Sequence, residues 1–372
     1  MSTFLLAFAV SLCVTLLVIR ATSVLGLASL DVDTNGPQKF HVRPVPRVGG
    51  LGIFSGLMAA VLAMSWWEHE ARGLALLMLV CGAPALMTGL VEDFTKRVSP
   101  AKRLAATAVS AILAAVLMDA LIRRTDIPGL DWVVGMTLGA GVVTVLAVAG
   151  IANSVNIIDG FNGLASMCGM LMLGGLAYVG FEVGDRTVAL LALAGIGAVL
   201  GFFIWNFPAG LIFLGDGGAY FLGFYVAEVA ILLLNRNAAV SPLFPLLAVI
   251  YPVFETIFSI YRRKFLRDMP SSVPDGIHLH SLIYRRVMRW AIGRRGARSL
   301  TRRNSMTSPY LWGLCMLSII PAVLFWNSTA ALSVFLFLFG LSYVTLYWRI
   351  VRFKSPRWLR LAAARARAAP EG

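Results

Sequence analysis

Acidic residues and histidines are what this chain has least of. Only 18 of its 372 residues are Asp or Glu, and only 4 are His. Charged residues together make up 13%, against about 25% in a soluble globular chain, which excludes a soluble enzyme. The four cysteines, Cys13, Cys81, Cys168 and Cys315, fall inside apolar runs with neither pairing nor metal spacing. A disulfide framework and a zinc ribbon are thereby excluded, and each reads as a small core residue. The first apolar run has no basic segment ahead of it, so it reads as a membrane helix rather than a cleaved signal. No internal repeat is visible, so the inverted-repeat plan of many transporters is not evident. The outward-apolar, inward-polar alternation of an outer-membrane barrel is missing too.

What the chain has in abundance is apolar length. Hydrophobic residues make up 59% of it, in runs of about 17–25 residues, the length that crosses a bilayer as a helix. The runs predict about eleven spans, near 3–27, 48–66, 73–91, 102–122, 132–152, 164–181, 187–206, 217–234, 242–261, 308–326 and 330–348. The fold class is all-α, a polytopic integral membrane protein with a single membrane domain over 1–348 and a basic tail over 349–372. Lys39, Arg43, Arg47, Lys96, Arg97, Lys102, Arg103, the arginine-rich stretch 262–303 and the tail all follow odd-numbered spans. The opposite loops hold only Arg72, Arg123, Arg124, Arg186 and Arg236. This bias predicts an N-terminus outside and a C-terminus in the cytoplasm, with Arg123–Arg124 as the exception. It accounts for the net charge of +14 without nucleic acid, and it suits anionic membrane lipid and phosphorylated partners.

On this topology the scarce acids and histidines gather on one face, in cytoplasmic loops at about 28–47, 92–101, 153–163, 207–216 and 262–307. The densest stretch is NSVNIIDGFNGLA at 153–165, with Asn153, Asn156, Asp159 and Asn162 spaced by Gly160 and Gly163. Polar side chains this close between two membrane-length runs are costly unless they line a watery or protein-filled cavity. Asp159 is a hard oxygen ligand of the kind Mg²⁺ prefers, and the amides suit sugar hydroxyls or a uracil edge; a plain polar turn is the alternative. Glu92 and Asp93 close the third span, where two acids oppose the helix dipole. They read as metal ligands or proton acceptors, or as ion-pair partners of Lys96 and Arg97. Asp216 in FLGDGGAYFLGF is either a helix N-cap or, among Gly215, Gly217 and Gly218, a group set where backbone approaches a phosphate or metal closely.

His278 and His280 lie among Arg262, Arg263, Arg285 and Arg286. His41 and His69 are the only other histidines, so zinc lacks a ligand set; phosphate contact, proton transfer or a plain solvated loop remain. The first loop brings Lys39, His41, Arg43 and Arg47 ahead of Gly49–Gly50. It is a phosphate clamp beside a helix start, or a positive-inside loop with close-packing glycines. Together these groups suit transfer of a phospho-group from a nucleotide-activated donor to a lipid acceptor, with Mg²⁺ neutralising the diphosphate. The competing class is a transporter or flippase for an anionic substrate. It calls for polar groups near the bilayer midplane, where Asp119 and Glu228 are among the few acids.

Four ordered motifs run from about Asp33 to Leu282: KFHVRPVPRVGG, GLVEDFTKRVSPAKRL, NSVNIIDGFNGLA with FLGDGGAYFLGF, and HLHS. In them the chain resembles the polyprenyl-phosphate N-acetylhexosamine-1-phosphate transferases of glycosyltransferase family 4. These are bacterial inner-membrane enzymes that start O-antigen and related glycans, with the muramoyl-pentapeptide translocase as a relative. The resemblance implies transfer of a sugar-1-phosphate, by default GlcNAc-1-phosphate, from a UDP-N-acetylhexosamine to undecaprenyl phosphate, releasing UMP. It implies Mg²⁺ (with Mn²⁺ as a substitute), a multi-pass protein of the inner membrane, and a homodimer. Carried over by position, it implies Asp216, Asp159 and Asp93 at the metal, and Glu92, Asp93, Asp159 and His278 in catalysis. It implies Asn153, Asn156, Asn162, Gly163 and His280 at the substrates, and the basic residues Lys39, His41, Arg47 and Arg263 join them as phosphate contacts. The chain departs from the pattern at Glu92, where an Asp is usual; at Asn162, which removes a second Asp; and at Ser281, where a further His is common. A scaffold of the same fold that has lost catalysis through the first two changes is the third reading.

Overall fold

The structure, a computed structural model, describes residues 2–25, 30–31, 45–64, 69–266, 277–292 and 297–352. The helices run in the order α1 (Ser2–Leu25), α2 (Gly50–Met64), α3 (His69–Thr95), α4 (Pro100–Leu117), α5 (Leu130–Val134), α6 (Thr137–Ile158), α7 (Leu164–Glu182) and α8 (Arg186–Asn206). Then follow α9 (Gly215–Arg236), α10 (Leu243–Ala248), α11 (Ile250–Leu266), α12 (Leu279–Leu282), α13 (Arg289–Ile292), α14 (Ala297–Leu324) and α15 (Thr329–Val351). A π-helical turn, Ile283–Met288, joins α12 to α13, and Leu30–Asp31 pairs antiparallel with Val45–Pro46.

Among the described residues, nine helices are long and apolar enough to cross a membrane: α1, α3, α4, α6, α7, α8, α9, α14 and α15. The chain is a multi-pass membrane protein. Each sequence-predicted span meets a helix, with several differences; the fifth, read as 132–152, is split between α5 and α6 and runs on to Ile158. The second span is α2, apolar but only 15 residues long. The ninth is broken between α10 and α11; Pro252 falls in the first turn of α11, where its missing N–H is not needed. The fourth stops at Leu117, so Asp119 is not a mid-span acid: its side chain is 74% exposed and pairs with Arg123 at 2.5 Å. The stretch 262–307, read from sequence as a loop, is helical over much of its described length.

Helix α9 is the axis of the bundle. Every residue from Gly215 to Leu234 is buried, with α2, α3, α6, α7 and α8 packed around it. Small residues permit the close approach: a Cβ on Gly218 would stand 2.9 Å from Gly50 Cα, and one on Gly223 2.5 Å from Ala152 Cα. Membrane helices associate through such contacts because lipid gives no hydrophobic drive between them. Helix α1 meets α8 in the same way, its Ser11 Oγ donating to the Ala198 carbonyl at 2.6 Å. Large apolar side chains such as Leu17, Val116, Leu138 and Phe337 point outward, as a hydrocarbon solvent favours.

Candidate functional site

The candidate site surrounds the N-terminal end of α9. That helix opens at Gly215, whose φ of 77° lies in the left-handed region, and its N-cap Leu214 offers no side-chain acceptor. The first N–H groups of a helix need an acceptor from elsewhere. Asp93, in the last turn of α3 and 1% exposed, supplies it: Asp216 N donates to Oδ1 and Gly217 N to Oδ2, both at 3.0 Å. This explains an acid that opposes its own helix's dipole, because its charge serves the positive end of α9. It also removes the N-cap reading of Asp216, whose side chain is turned to other partners. Asn156 Nδ2 donates to its Oδ1 at 3.0 Å, Arg47 Nη2 stands 3.5 Å from the same oxygen, and Arg103 Nη1 donates to Oδ2.

Helix α6 continues to Ile158, so Asn153 and Asn156 are helical rather than part of a loop. The two lie three residues apart and share a face. Asp159 follows as the C-cap. Burial pushes its carboxyl up to about 7, against the lowering effect of Arg47 and of the Gly215 N–H that it accepts. Arg47 also stands 3.7 Å from Asp93 Oδ1 through its Nε. Three carboxylates from three separate segments thus gather about Arg47 and the first residues of α9. Backbone pairing holds Arg47 in place: Phe213 N donates to Pro46 O at 2.8 Å and Gly49 N to Phe213 O at 3.0 Å.

The histidines approach from another side. His278 Nδ1 meets Glu255 Oε1 of α11 at 3.1 Å, and the rings of His278 and His280 stack at 5.0 Å and 10°. A Cβ on Gly160 would lie 3.6 Å from His280 Nε2, so the histidine motif abuts the residue next to Asp159. Phe161 packs edge-on to His280 at 5.5 Å. Buried Arg262 anchors the segment, donating to Ile277 O at 3.0 Å and Tyr347 Oη at 2.8 Å. Arg263, on the same helix, donates from Nε to Ser259 O at 3.4 Å.

Other sequence-predicted residues take structural tasks. Asn162 ties its turn to α14, its N donating to Asn304 Oδ1 at 2.8 Å and its Nδ2 to Ser305 Oγ at 3.2 Å. Gly163, the left-handed N-cap of α7, donates to Asn206 Oδ1 at 2.6 Å and accepts from Trp312 Nε1 at 3.0 Å. Glu92 Oε2 accepts from Val98 N at 2.7 Å and shapes the α3–α4 turn. Lys39 and His41 lie outside the described residues. Two site residues were missed. Arg103 was counted only toward the charge bias, although it stands in a singled-out motif. Glu255 sits in an apolar run, and a lone acid there is itself a signal.

Among the described residues no group of three His, Cys, Asp or Glu side chains is placed to hold a metal ion. Mg²⁺ does not require one, because it commonly takes one or two carboxylates, several waters and substrate phosphates. Asp216 and Asp159 are donors of that kind, with Arg47 and Arg103 balancing their charge here. The donor set fits such an ion.

Residues 75–234 match the profile of glycosyl transferase family 4. A probable undecaprenyl-phosphate N-acetylglucosaminyl 1-phosphate transferase of Bacillus subtilis is 30% identical over 333 residues, 89% of this chain and 87% of the relative. An undecaprenyl-phosphate alpha-N-acetylglucosaminyl 1-phosphate transferase of Thermotoga maritima is 26% identical, covering 70% of this chain and 75% of its own. A phospho-N-acetylmuramoyl-pentapeptide-transferase of Geobacillus kaustophilus is 30% identical over 54% of this chain and 65% of its own.

Proposed function

The chain belongs to glycosyl transferase family 4, and from that premise we propose that it transfers a sugar-1-phosphate from a UDP-N-acetylhexosamine to undecaprenyl phosphate. One observation carries the reading beyond membership: Asp93, Asp159 and Asp216 converge with Arg47 and Arg103 at one end of one buried helix. A diphosphate needs balanced acids and cations of this kind.

The lipid phosphate is already largely a dianion at neutral pH, so the site's task is positioning more than proton removal. One of its oxygens attacks the sugar-bearing phosphorus, the bond to the bridging oxygen breaks, and UMP leaves. Arg47 and Arg103 bind phosphate oxygens as planar forks in place of their contacts with Asp216. Asp93 holds Asp216 by capping α9, and Asn156 orients the Asp216 carboxylate. Asp216 and Asp159 would hold Mg²⁺, which would supply neutralisation of charge on the diphosphate. His280 faces the same corner and donates to phosphate, with His278 stacked behind it. The site end of the bundle faces the cytoplasm of a bacterial inner membrane, where UDP-sugars are made, and the product starts a cell-surface glycan. The default sugar is GlcNAc.

The test is UMP release by purified protein with undecaprenyl phosphate, Mg²⁺ and a panel of UDP-N-acetylhexosamines, with EDTA as control. Lipid-dependent, EDTA-sensitive UMP from one donor is the expected result. No UMP from any donor, with folded protein, overturns the reading.

A further inference from the structure

Glu255 is a buried acid that the proposed chemistry leaves unused. It lies on α11, 1% exposed, outside residues 75–234 that match the family profile. A buried carboxylate is tolerated only when its lone pairs are filled, and here three donors fill them. Leu279 N donates to Oε1 at 2.9 Å, Tyr343 Oη of α15 donates to Oε2 at 2.7 Å, and His278 Nδ1 meets Oε1 at 3.1 Å.

The chemistry of that last contact is directional. A carboxylate accepts and cannot donate, so His278 carries its proton on Nδ1 and presents Nε2 away from Glu255. The stack of His278 on His280, 5.0 Å at 10°, passes the orientation to the second ring, which abuts Gly160 beside Asp159. Aromatic packing fixes the brace from behind: Tyr343 lies against Phe254 at 5.0 Å and Phe258 at 5.5 Å. Tyr347, hydrogen-bonded to Arg262, lies against Phe258 at 4.8 Å.

We propose that Glu255, braced by Tyr343, is a positioning residue. It fixes the tautomer of His278, whose Nε2 is then an acceptor, and the plane of the His278–His280 pair, so that the His280 ring meets the phosphates of the substrates. The last membrane helix, far along the chain from the acidic motifs, thereby takes part in setting the site. This rests on the proposed transferase reading, in which His280 contacts phosphate.

The experiment compares wild type with His278→Ala, Glu255→Gln and Tyr343→Phe in the UMP-release assay, each checked for thermal unfolding. A companion measurement is imidazole ¹⁵N NMR of protein labelled at histidine. Glu255→Gln keeps size and one acceptor but loses the charge that dictates the proton's place. The expected result is a loss of kcat of about tenfold to a hundredfold, the range for removal of a group that orients an active ring, with KM for the UDP-sugar within about twofold. The His278 ¹⁵N signals shift from the Nδ1-protonated pattern. Tyr343→Phe, which leaves the histidines untouched, lowers kcat in the same sense by a smaller factor, and it decides the matter if Glu255→Gln does not fold. Wild-type kcat in folded Glu255→Gln, or in Tyr343→Phe where that variant decides, overturns the positioning role while His278→Ala is inactive. Wild-type kcat in His278→Ala removes the histidines from the site, and the inference with them. No UMP from wild type is the separate failure of the transferase reading.

Discussion

The two ends of α9 are built from the same residue types and do different things. At about 1.5 Å per residue the helix is long enough to set its termini near opposite faces of a bilayer. At the C-terminal end, Arg236 pairs with Asp185 at 2.8 Å and Glu70 at 2.6 Å. Arg124 donates to the carbonyls of Leu234, Asn237, Ala238 and Val240. Cations fill the carbonyls that a helix end leaves open, and the dipole favours them there. At the N-terminal end two acids do the equivalent capping, Asp93 on the Asp216 and Gly217 N–H groups and Asp159 on that of Gly215, but Asp216 stands beside them with no such duty. One end is a joint, with Arg124 on the chain's carbonyls and Arg236 paired to two acids; the other holds Asp216 between Arg47 and Arg103, contacts that a phosphate or a cation takes over under the proposed reaction. This difference also explains the arginines that broke the charge bias, since Arg124 caps α9 and Arg123 pairs with Asp119.

The comparison is broken most severely by Asp216→Asn. Turnover falls by at least about a hundredfold, the scale of losing a group that holds the charge-neutralising cation, while thermal unfolding stays near wild type; UMP release beside a melting curve checks both. Gly215→Ala comes next, because its φ of 77° and the Arg47 carbonyl against the added methyl both oppose it. Stability falls by about 1–3 kcal/mol and activity with it. Gly184, near the other end, has φ 73° with open space around it, so Gly184→Ala loses only about 1 kcal/mol and leaves kcat unchanged. Arg124→Ala destabilises by about 1–3 kcal/mol through unfilled carbonyls, with turnover per folded molecule intact.

The smallest effect is in pH dependence, and the two ends have opposite signs. Asp159, held up to about 7 chiefly by burial, binds its proton more tightly when folded. Its contribution is present below the ordinary carboxylate range and is lost as pH rises toward and through 7. Burial acts to raise Asp185 as well, but hydrogen bonds from Arg236 and Asn237 outweigh it and hold the carboxyl below its ordinary value. Its contribution is present at neutral pH and is lost as pH falls through the acid range. Unfolding measured against pH in EDTA, with Asp159→Asn and Asp185→Asn, separates the two slopes.

The sequence carried much of this. Apolar run lengths located the helices, and the alternation of loops put Asp93, Asp159 and Asp216 on one side, where the structure brings them together. Run length could not show where a helix ends inside a polar motif. Asn156 stays helical because Asp216, sixty residues away, receives its amide, a partner that local propensity cannot register. Nor could composition separate Asn162, fastened to α14, from Asn156, fastened to Asp216; the two look alike until their neighbours are known. Glu255 was hidden for the same reason, since its three donors come from distant parts of the chain.

Helix α9 is buried from Gly215 to Leu234 and so barely meets lipid in the finished protein. During synthesis it has to enter the bilayer all the same, carrying Asp216, Glu228 and four glycines that favour neither insertion nor a free-standing helix. The most buried helix of the bundle is therefore not its most apolar, with a mean hydropathy of 1.8 against 2.5 for α1 and 2.4 for α8. Its main neighbours, α3 and α6, precede it in the chain, so the surfaces that cover its acids are made before it is.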